Sequence, residues 1–178
     1  MSKIRFTEPN REILARRDSI INDLTRLVDP AGLITSTDEC RAYETDALTA
    51  YRKMPLAVVL PKTTEEVSAV LKYCHDTGVK VVPRGAGTSL AGGAIPSEDA
   101  VVLGLSKMNR VLAVNYDDRF IRVEAGVTNL SVTAVVAENG FFYAPDPSSQ
   151  LACTIGGNIA NNSGGAHCLK YGVTTNNL

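Results

Sequence analysis

The sequence predicts an α+β chain. Three features lead there: an apolar helical stripe near the N-terminus, a strand, helix and strand in succession mid-chain, and a change to antiparallel pairing after them. At 178 residues the chain is long enough to bury one core, or to be part of something larger.

Each element follows from local pattern. Ile13, Leu14, Ile20, Ile21, Leu24, Leu27 and Val28 recur at three- and four-residue steps, which predicts one docking helix ended by Asp29-Pro30 with Gly32 beyond. Ser36 and Glu39 have the spacing of a capping box, so a shorter helix is expected there. Ala57 to Leu60 is an apolar run suited to a buried strand. Thr63 and Glu66 then cap a helix whose apolar face is Val67, Val70, Leu71 and Cys74, and Gly78 supplies its left-handed C-cap before a strand over Val79 to Val82. This order predicts a parallel, right-handed βαβ unit. The glycine-rich segment that follows is thus expected at the carboxyl end of a buried strand, where open α/β sheets present ligands. Ala100 to Leu105 reads as a further strand. Val111 to Tyr116 and Phe120 to Glu124 flank a hairpin turn at Asp117-Asp118. A helix from Thr128 to Glu138 stops at Asn139-Gly140, and Phe141 to Ala144 runs extended into Pro145.

Composition removes several functions. The net charge is −1 with Lys and Arg scattered, so no nucleic-acid partner is expected. The first 17 residues lack an apolar leader core and no later run is long enough to span a bilayer, so the chain reads as soluble and cytoplasmic. Cys40, Cys74, Cys153 and Cys168 are far apart, which fits free thiols in a reducing compartment. His75 beside Cys74 and His167 beside Cys168 invite a metal, but adjacent helical residues point about 100° apart, so no metal site is expected. Cys74 reads as core, and Arg52 and Lys53 as solvated surface.

The chemistry concentrates in two segments that hold eight of the fourteen glycines: PRGAGTSLAGG, Pro83 to Gly93, and CTIGGNIANNSGG, Cys153 to Gly165. Small residues beside hydroxyl and amide side chains suit loops whose N–H groups close around phosphate oxygens. The first segment fails the dinucleotide fingerprint, because Gly85 and Gly87 lead to Gly92, Gly93 and then a strand. It also fails the triphosphate loop, because Gly93-Ala94 stands where Lys-Ser/Thr is needed. A diphosphate held by neutral N–H donors remains, with Thr88 and Ser89 placed to donate and Arg84 available for charge.

These segments, with PDPSSQ from Pro145 to Gln150 before the second, resemble the flavin domain of the vanillyl-alcohol oxidase and p-cresol methylhydroxylase (PCMH) type. YETDALTAYRKMPLAVVLPKTTEEV, Tyr43 to Val67, is similar to the FAD-linked subunits of bacterial glycolate oxidases, relatives of D-lactate dehydrogenases. The resemblance runs from about Ile13 onward. It implies an N-terminal helical segment over residues 1–52. A PCMH-type FAD-binding domain then covers 53–178: a small βαβ-containing subdomain plus the start of a mixed, antiparallel α+β subdomain.

By that resemblance Pro83, Arg84, Gly85, Ala86, Gly87, Thr88 and Ser89 wrap the FAD diphosphate, and Gly92 and Gly93 complete the turn. Pro145, Asp146 and Pro147 lie near the flavin, with Cys153 packed close by. Thr154, Gly156, Gly157, Asn158, Asn162, Gly164 and Gly165 line the rest, Gly156 and Gly157 opening a helix with N–H groups toward an anion. Covalent relatives often place a His where this chain has Thr88, so FAD is expected to bind non-covalently. The implied reaction passes hydride from C2 of a small 2-hydroxy acid, glycolate or D-lactate, to flavin N5. The implied partners are a second flavin-type subunit and an iron–sulfur subunit as electron acceptor, which would hold the chain at the inner membrane. The catalytic base is not among these residues. The family's flavin domain continues beyond the position of Leu178 and a substrate-capping domain follows, so the chain is expected to be a truncated portion unable to oxidise glycolate alone. Another substrate, or an inactive flavin-binding remnant, are the alternatives.

Overall fold

The computed structural model describes residues 6–178, so the first five residues of the stretch read for a leader lie outside the described ones. The predicted N-terminal helix is two helices, α1 (Arg11–Ala15) and α2 (Arg17–Leu24). The Asn10 side chain accepts the Glu12 N–H at 2.9 Å to start α1. At Arg16 the backbone leaves helical geometry and its N–H bonds back to Ile13, a tighter turn that re-aims the stripe without Gly or Pro. Ile13, Ile20, Leu24 and Val28 are all buried.

They pack on a four-stranded sheet of order β1-β2-β4-β3, built from β1 (Leu33–Ile34), β2 (Ala57–Val59), β3 (Lys80–Arg84) and β4 (Ala100–Gly104). Between β1 and β2 lies the short helix α3 (Thr37–Cys40), with Ser36 as its N-cap. Alternation on the buried strands separates two cores. Ala57, Val59, Val101 and Leu103 join α1, α2 and the helix α4 (Thr64–Thr77) on one face. Val58 and Val102 join Cys40 and Leu60 on the other. Residues 6–52 are therefore part of the same packed body as the sheet.

The parallel βαβ unit is present, but β4 lies between β2 and β3 and is parallel to both. This corrects one expectation: β3 is a partly exposed edge strand, and β4 is the buried one. Edge position is what tolerates Pro83, which has no N–H for a second neighbour. In α4 the inward stripe is Val67, Val70, Tyr73 and Cys74, whereas Leu71 is exposed. Thr63 caps the helix through the Glu66 N–H, and Gly78 ends it at φ 72°.

The antiparallel hairpin forms as predicted from β5 (Val111–Asn115) and β6 (Phe120–Val123), a separate two-stranded sheet with a register shift near Val111. Asn115 accepts the Asp118 N–H at 2.9 Å to shape the turn. The helix α5 (Asn129–Val136) tightens into a 3₁₀ turn and ends at Gly140, φ 77°. Two short helices follow, α6 (Ile155–Asn161) and α7 (Cys168–Tyr171), and then a 3₁₀ helix over Thr174–Asn177. Phe141 to Ala144 joins no sheet. Val127, Val132 and Ile155 form a third small core with Ile121, Val123 and Tyr143.

Candidate functional site

Where β3 ends at Arg84 the chain makes the first glycine-rich turn. Gly87 is at φ 73° and Gly92 at φ 76°, left-handed positions that reverse the backbone and let successive N–H groups converge. Among the described residues, the N–H groups of Gly85, Ala86, Gly87, Thr88 and Ser89 have no acceptor. A run of unpartnered donors at the end of a strand is what an anion needs.

A strap from Tyr43 to Leu48 holds this turn from behind. Ala47 N–H donates to the Gly87 carbonyl at 2.9 Å. The buried Asp46 carboxylate accepts from the N–H groups of Leu48 and Gly92, both at 2.9 Å. The Arg84 guanidinium donates to the Thr45 carbonyl at 2.7 Å and stacks 5.6 Å from the Tyr43 ring centre. Burial lowers the Arg84 pKa, opposed by Tyr43 and Asp46. Sequence reasoning assigns this strap no role in the site. The signal available is Asp46 itself, an acid followed directly by the apolar Ala47 and Leu48.

The second segment meets the first where Gly85 approaches Thr154 and where the Ser89 hydroxyl donates to Asn161 Oδ1 at 3.4 Å. A Cβ on Gly85 would lie 2.6 Å from Thr154 Oγ1, so the absence of a side chain there sets how closely the two backbones approach. Thr154 caps α6 by accepting the Gly157 N–H at 3.3 Å. Ile155 N–H donates to Val127 at 2.9 Å and Gly156 N–H to Ala125 at 2.8 Å. The expectation that this helix start offers N–H groups to an anion is thus not met: those donors are taken up inside the protein. Gly156 instead allows close packing, since a Cβ there would lie 3.0 Å from Ala125.

Between the two segments lies a cleft of about 480 Å³, within the usual range of roughly 300–1,000 Å³ for small-molecule sites. Of the residues singled out in the sequence, Pro83, Gly85, Ala86, Gly87, Thr88, Ser89 and Gly93 line it from the first turn, and Thr154, Gly157 and Asn158 from the second. Leu90, Ala94, Ser149, Cys153, Asn161 and Ser163 add to the wall. Arg84, Gly92, Gly156, Pro145, Asp146, Pro147, Asn162, Gly164 and Gly165 are not among the residues that line it. Arg84 and Gly92 serve the strap contacts. Asn162, left-handed at φ 46°, ends α6 and accepts the Thr175 N–H at 3.0 Å. Pro145 offers its carbonyl to the buried Asn129 amide at 2.9 Å. Asp146 takes the His167 N–H at 3.2 Å and faces His167 Nδ1 at 2.6 Å, and that pairing lowers its carboxyl pKa. Gly165 packs directly on Asp146, and Gly164 packs on Cys168 and Val173.

The residues fit a diphosphate-containing cofactor on two counts. The first turn holds unpartnered amides, and the cleft wall contains a buried carboxamide, Asn158, with neither polar atom partnered among the described residues.

A family model described as an FAD binding domain matches residues 55–178. The chain is 49% identical over 162 residues to glycolate oxidase subunit GlcD of Escherichia coli, covering 91% of this chain and 32% of that protein. It is 38% identical over 159 residues to a D-lactate dehydrogenase of Archaeoglobus fulgidus, covering 89% and 35%. Its fold matches p-cresol methylhydroxylase at a TM-score of 0.71 and 20% identity, over 87% of this chain and 30% of that one. The chain spans about a third of the length of the relatives it matches.

Proposed function

Because this chain belongs to the family of FAD-binding domains, of the PCMH type, we propose that it holds FAD between its two glycine-rich segments and serves a flavin-dependent 2-hydroxy-acid dehydrogenase. The observation that bears most on this reading is the run of N–H groups from Gly85 to Ser89, unpartnered among the described residues, that lines the cleft.

In this reading the first turn binds the cofactor's diphosphate. Its N–H groups supply the donors, and the Thr88 hydroxyl can add one more, with the Ser89 hydroxyl able to join only by leaving Asn161 Oδ1 at 3.4 Å. No cationic side chain is needed at the phosphates, since Arg84 is committed to the strap. The strap residues hold the turn in its binding shape before the ligand arrives, which lowers the ordering cost of binding. Gly85 and Gly157 keep the two walls bare of side chains, so a ligand backbone can approach the main chain closely. Cys153 and the small residues along α6 exclude bulk from the cleft. When bound, FAD supplies a hydride acceptor at N5 for C2 of a 2-hydroxy acid, which no side chain of this chain could replace. With Thr88 and not a histidine in the first turn, the association is non-covalent.

We assign the activity to the whole protein, with glycolate or D-lactate as the small 2-hydroxy acid, following the relatives of those names. GlcD is by its name a subunit, and we extend that to a complex with a second flavin-type subunit and an iron–sulfur subunit that takes the electrons. Among the described residues no helix is long and apolar enough to cross a membrane. We place the chain on the cytoplasmic side, meeting the inner membrane through those partners. The cofactor domain on this reading starts at residue 53.

The test is spectroscopic. The purified chain titrated with FAD should quench flavin fluorescence with a single saturable site, and the whole protein should bleach at its flavin maximum when glycolate or D-lactate is added without oxygen. A chain with no FAD site, or a whole protein whose flavin stays oxidised with both acids, overturns the respective half.

A further inference from the structure

Asn158 sits on the inner face of α6 and lines the cleft, yet it is 1% exposed and neither its Oδ1 nor its Nδ2 has a hydrogen-bond partner among the described residues. Buried carboxamides are almost always partnered, because a donor or acceptor removed from water without a substitute is destabilising. The main-chain groups of Asn158 are already bonded: its N–H goes to Thr154, and its carbonyl accepts from Ser163 at 2.9 Å. The unsatisfied pair is therefore confined to the side chain. The cleft wall beside it is formed by the small residues Gly157 and Ala160.

We infer that the Asn158 carboxamide recognises a neighbouring donor and acceptor on the molecule in the cleft, so that it selects the flavin portion of the cofactor and not its phosphates. This rests on the FAD reading above. A phosphate offers acceptors alone and would satisfy Nδ2 while leaving Oδ1 bare. A carbonyl next to an N–H, or a hydroxyl, satisfies both atoms. FAD has the first in the lactam edge of its ring and the second along its sugar chain. The phosphate-binding amides of the first turn and the carboxamide of α6 thus divide the ligand between them, charge to one wall and neutral hydrogen bonding to the other.

The same feature makes the ligand-free protein less stable, and this separates recognition from ordinary packing. Asn158→Leu keeps the branched shape and removes both polar atoms. The expected result is a thermal midpoint of the ligand-free chain raised by about 3 °C, together with FAD binding weakened by about tenfold in fluorescence titration. Asn158→Asp, which loses the donor, is also expected to weaken FAD. Lumiflavin, which has the ring without the sugar chain, riboflavin, which has both, and ADP-ribose, which has the diphosphate, then identify the source. A loss by Asn158→Leu shared with lumiflavin assigns the lactam, a loss shared with riboflavin but not with lumiflavin assigns the sugar-chain hydroxyls, and a loss shared with ADP-ribose, which has neither ring nor ribityl chain, overturns the inference. If wild type binds FAD and Asn158→Leu, folded by its melting curve, binds it equally well, the inference is overturned while the FAD reading stands. If wild type binds no FAD, the reading beneath it has failed instead.

Discussion

Asp46 accepts the N–H of Gly92 at 2.9 Å across 46 residues of sequence. One buried carboxylate, which also accepts from Leu48, thereby ties the strap to the far end of the phosphate-type turn. The link explains how a loop rich in glycine holds a defined shape: its own residues supply freedom, and a distant acid removes it.

Replacing Asp46 with Ala should leave two buried N–H groups without acceptors and release the turn. The chain is expected to lose about 3 kcal/mol in urea unfolding, with FAD affinity down at least tenfold. Unchanged affinity would separate the strap from the site.

Gly85→Ala should press a methyl onto Thr154 Oγ1, from which it would stand 2.6 Å. Forcing the two segments apart is expected to cost about 1–3 kcal/mol and to weaken FAD binding more than it weakens the fold. Adding Thr154→Ser does not relieve the hydroxyl contact, whereas adding Thr154→Ala should restore part of the affinity.

Gly87→Ala acts through a different cause. At φ 73° a side chain is strained, and the new methyl would also strike the Arg84 guanidinium beneath it. A loss of about 1–2 kcal/mol is expected from the backbone alone, read as a lowered urea midpoint with the slope unchanged.

Stability should fall steeply in acid because of Asp99. Burial pushes its carboxyl up, but Lys80 at 2.8 Å, the Ser97 hydroxyl at 2.6 Å and the Asn10 N–H at 2.9 Å outweigh that and hold it down to about 2, against 3.8 ordinarily. The folded value lies below the unfolded one, so this contribution is complete above about pH 4 and is lost as pH falls toward 2. Urea midpoints measured across that window should drop for wild type and change less for Asp99→Asn. Parallel curves would assign the acid sensitivity elsewhere.

If FAD is held without a covalent bond, acid precipitation of the flavin-loaded protein should leave all the yellow colour in the supernatant. Colour retained in the pellet would contradict the assignment drawn from Thr88.

Much of the fold was legible along the chain. The Thr63 cap, the Gly78 stop, the Asp117-Asp118 hairpin and the helix ending at Gly140 all depend on neighbours within a few residues, and each is in place. Errors fall where the outcome depends on distant partners. Nothing near Val79 says that β4 will insert between β2 and β3 and leave β3 at an edge. Nothing near Arg84 says that the Thr45 carbonyl, 39 residues away, will claim its guanidinium. Nothing near Gly156 says that Ala125 will take its N–H.

The sequence by itself determined the elements, the α+β class and the two glycine-rich segments, because periodicity, capping and left-handed glycine positions are local properties. The tertiary structure decided which of those segments keeps free donors. An N–H counts as available only once every carbonyl and carboxylate folded against it is known, and at the second segment Val127, Ala125 and Thr154 had already taken them. It also decided that the Asn158 carboxamide is buried without a partner among the described residues, a property that exists only when the rest of the chain has closed around it.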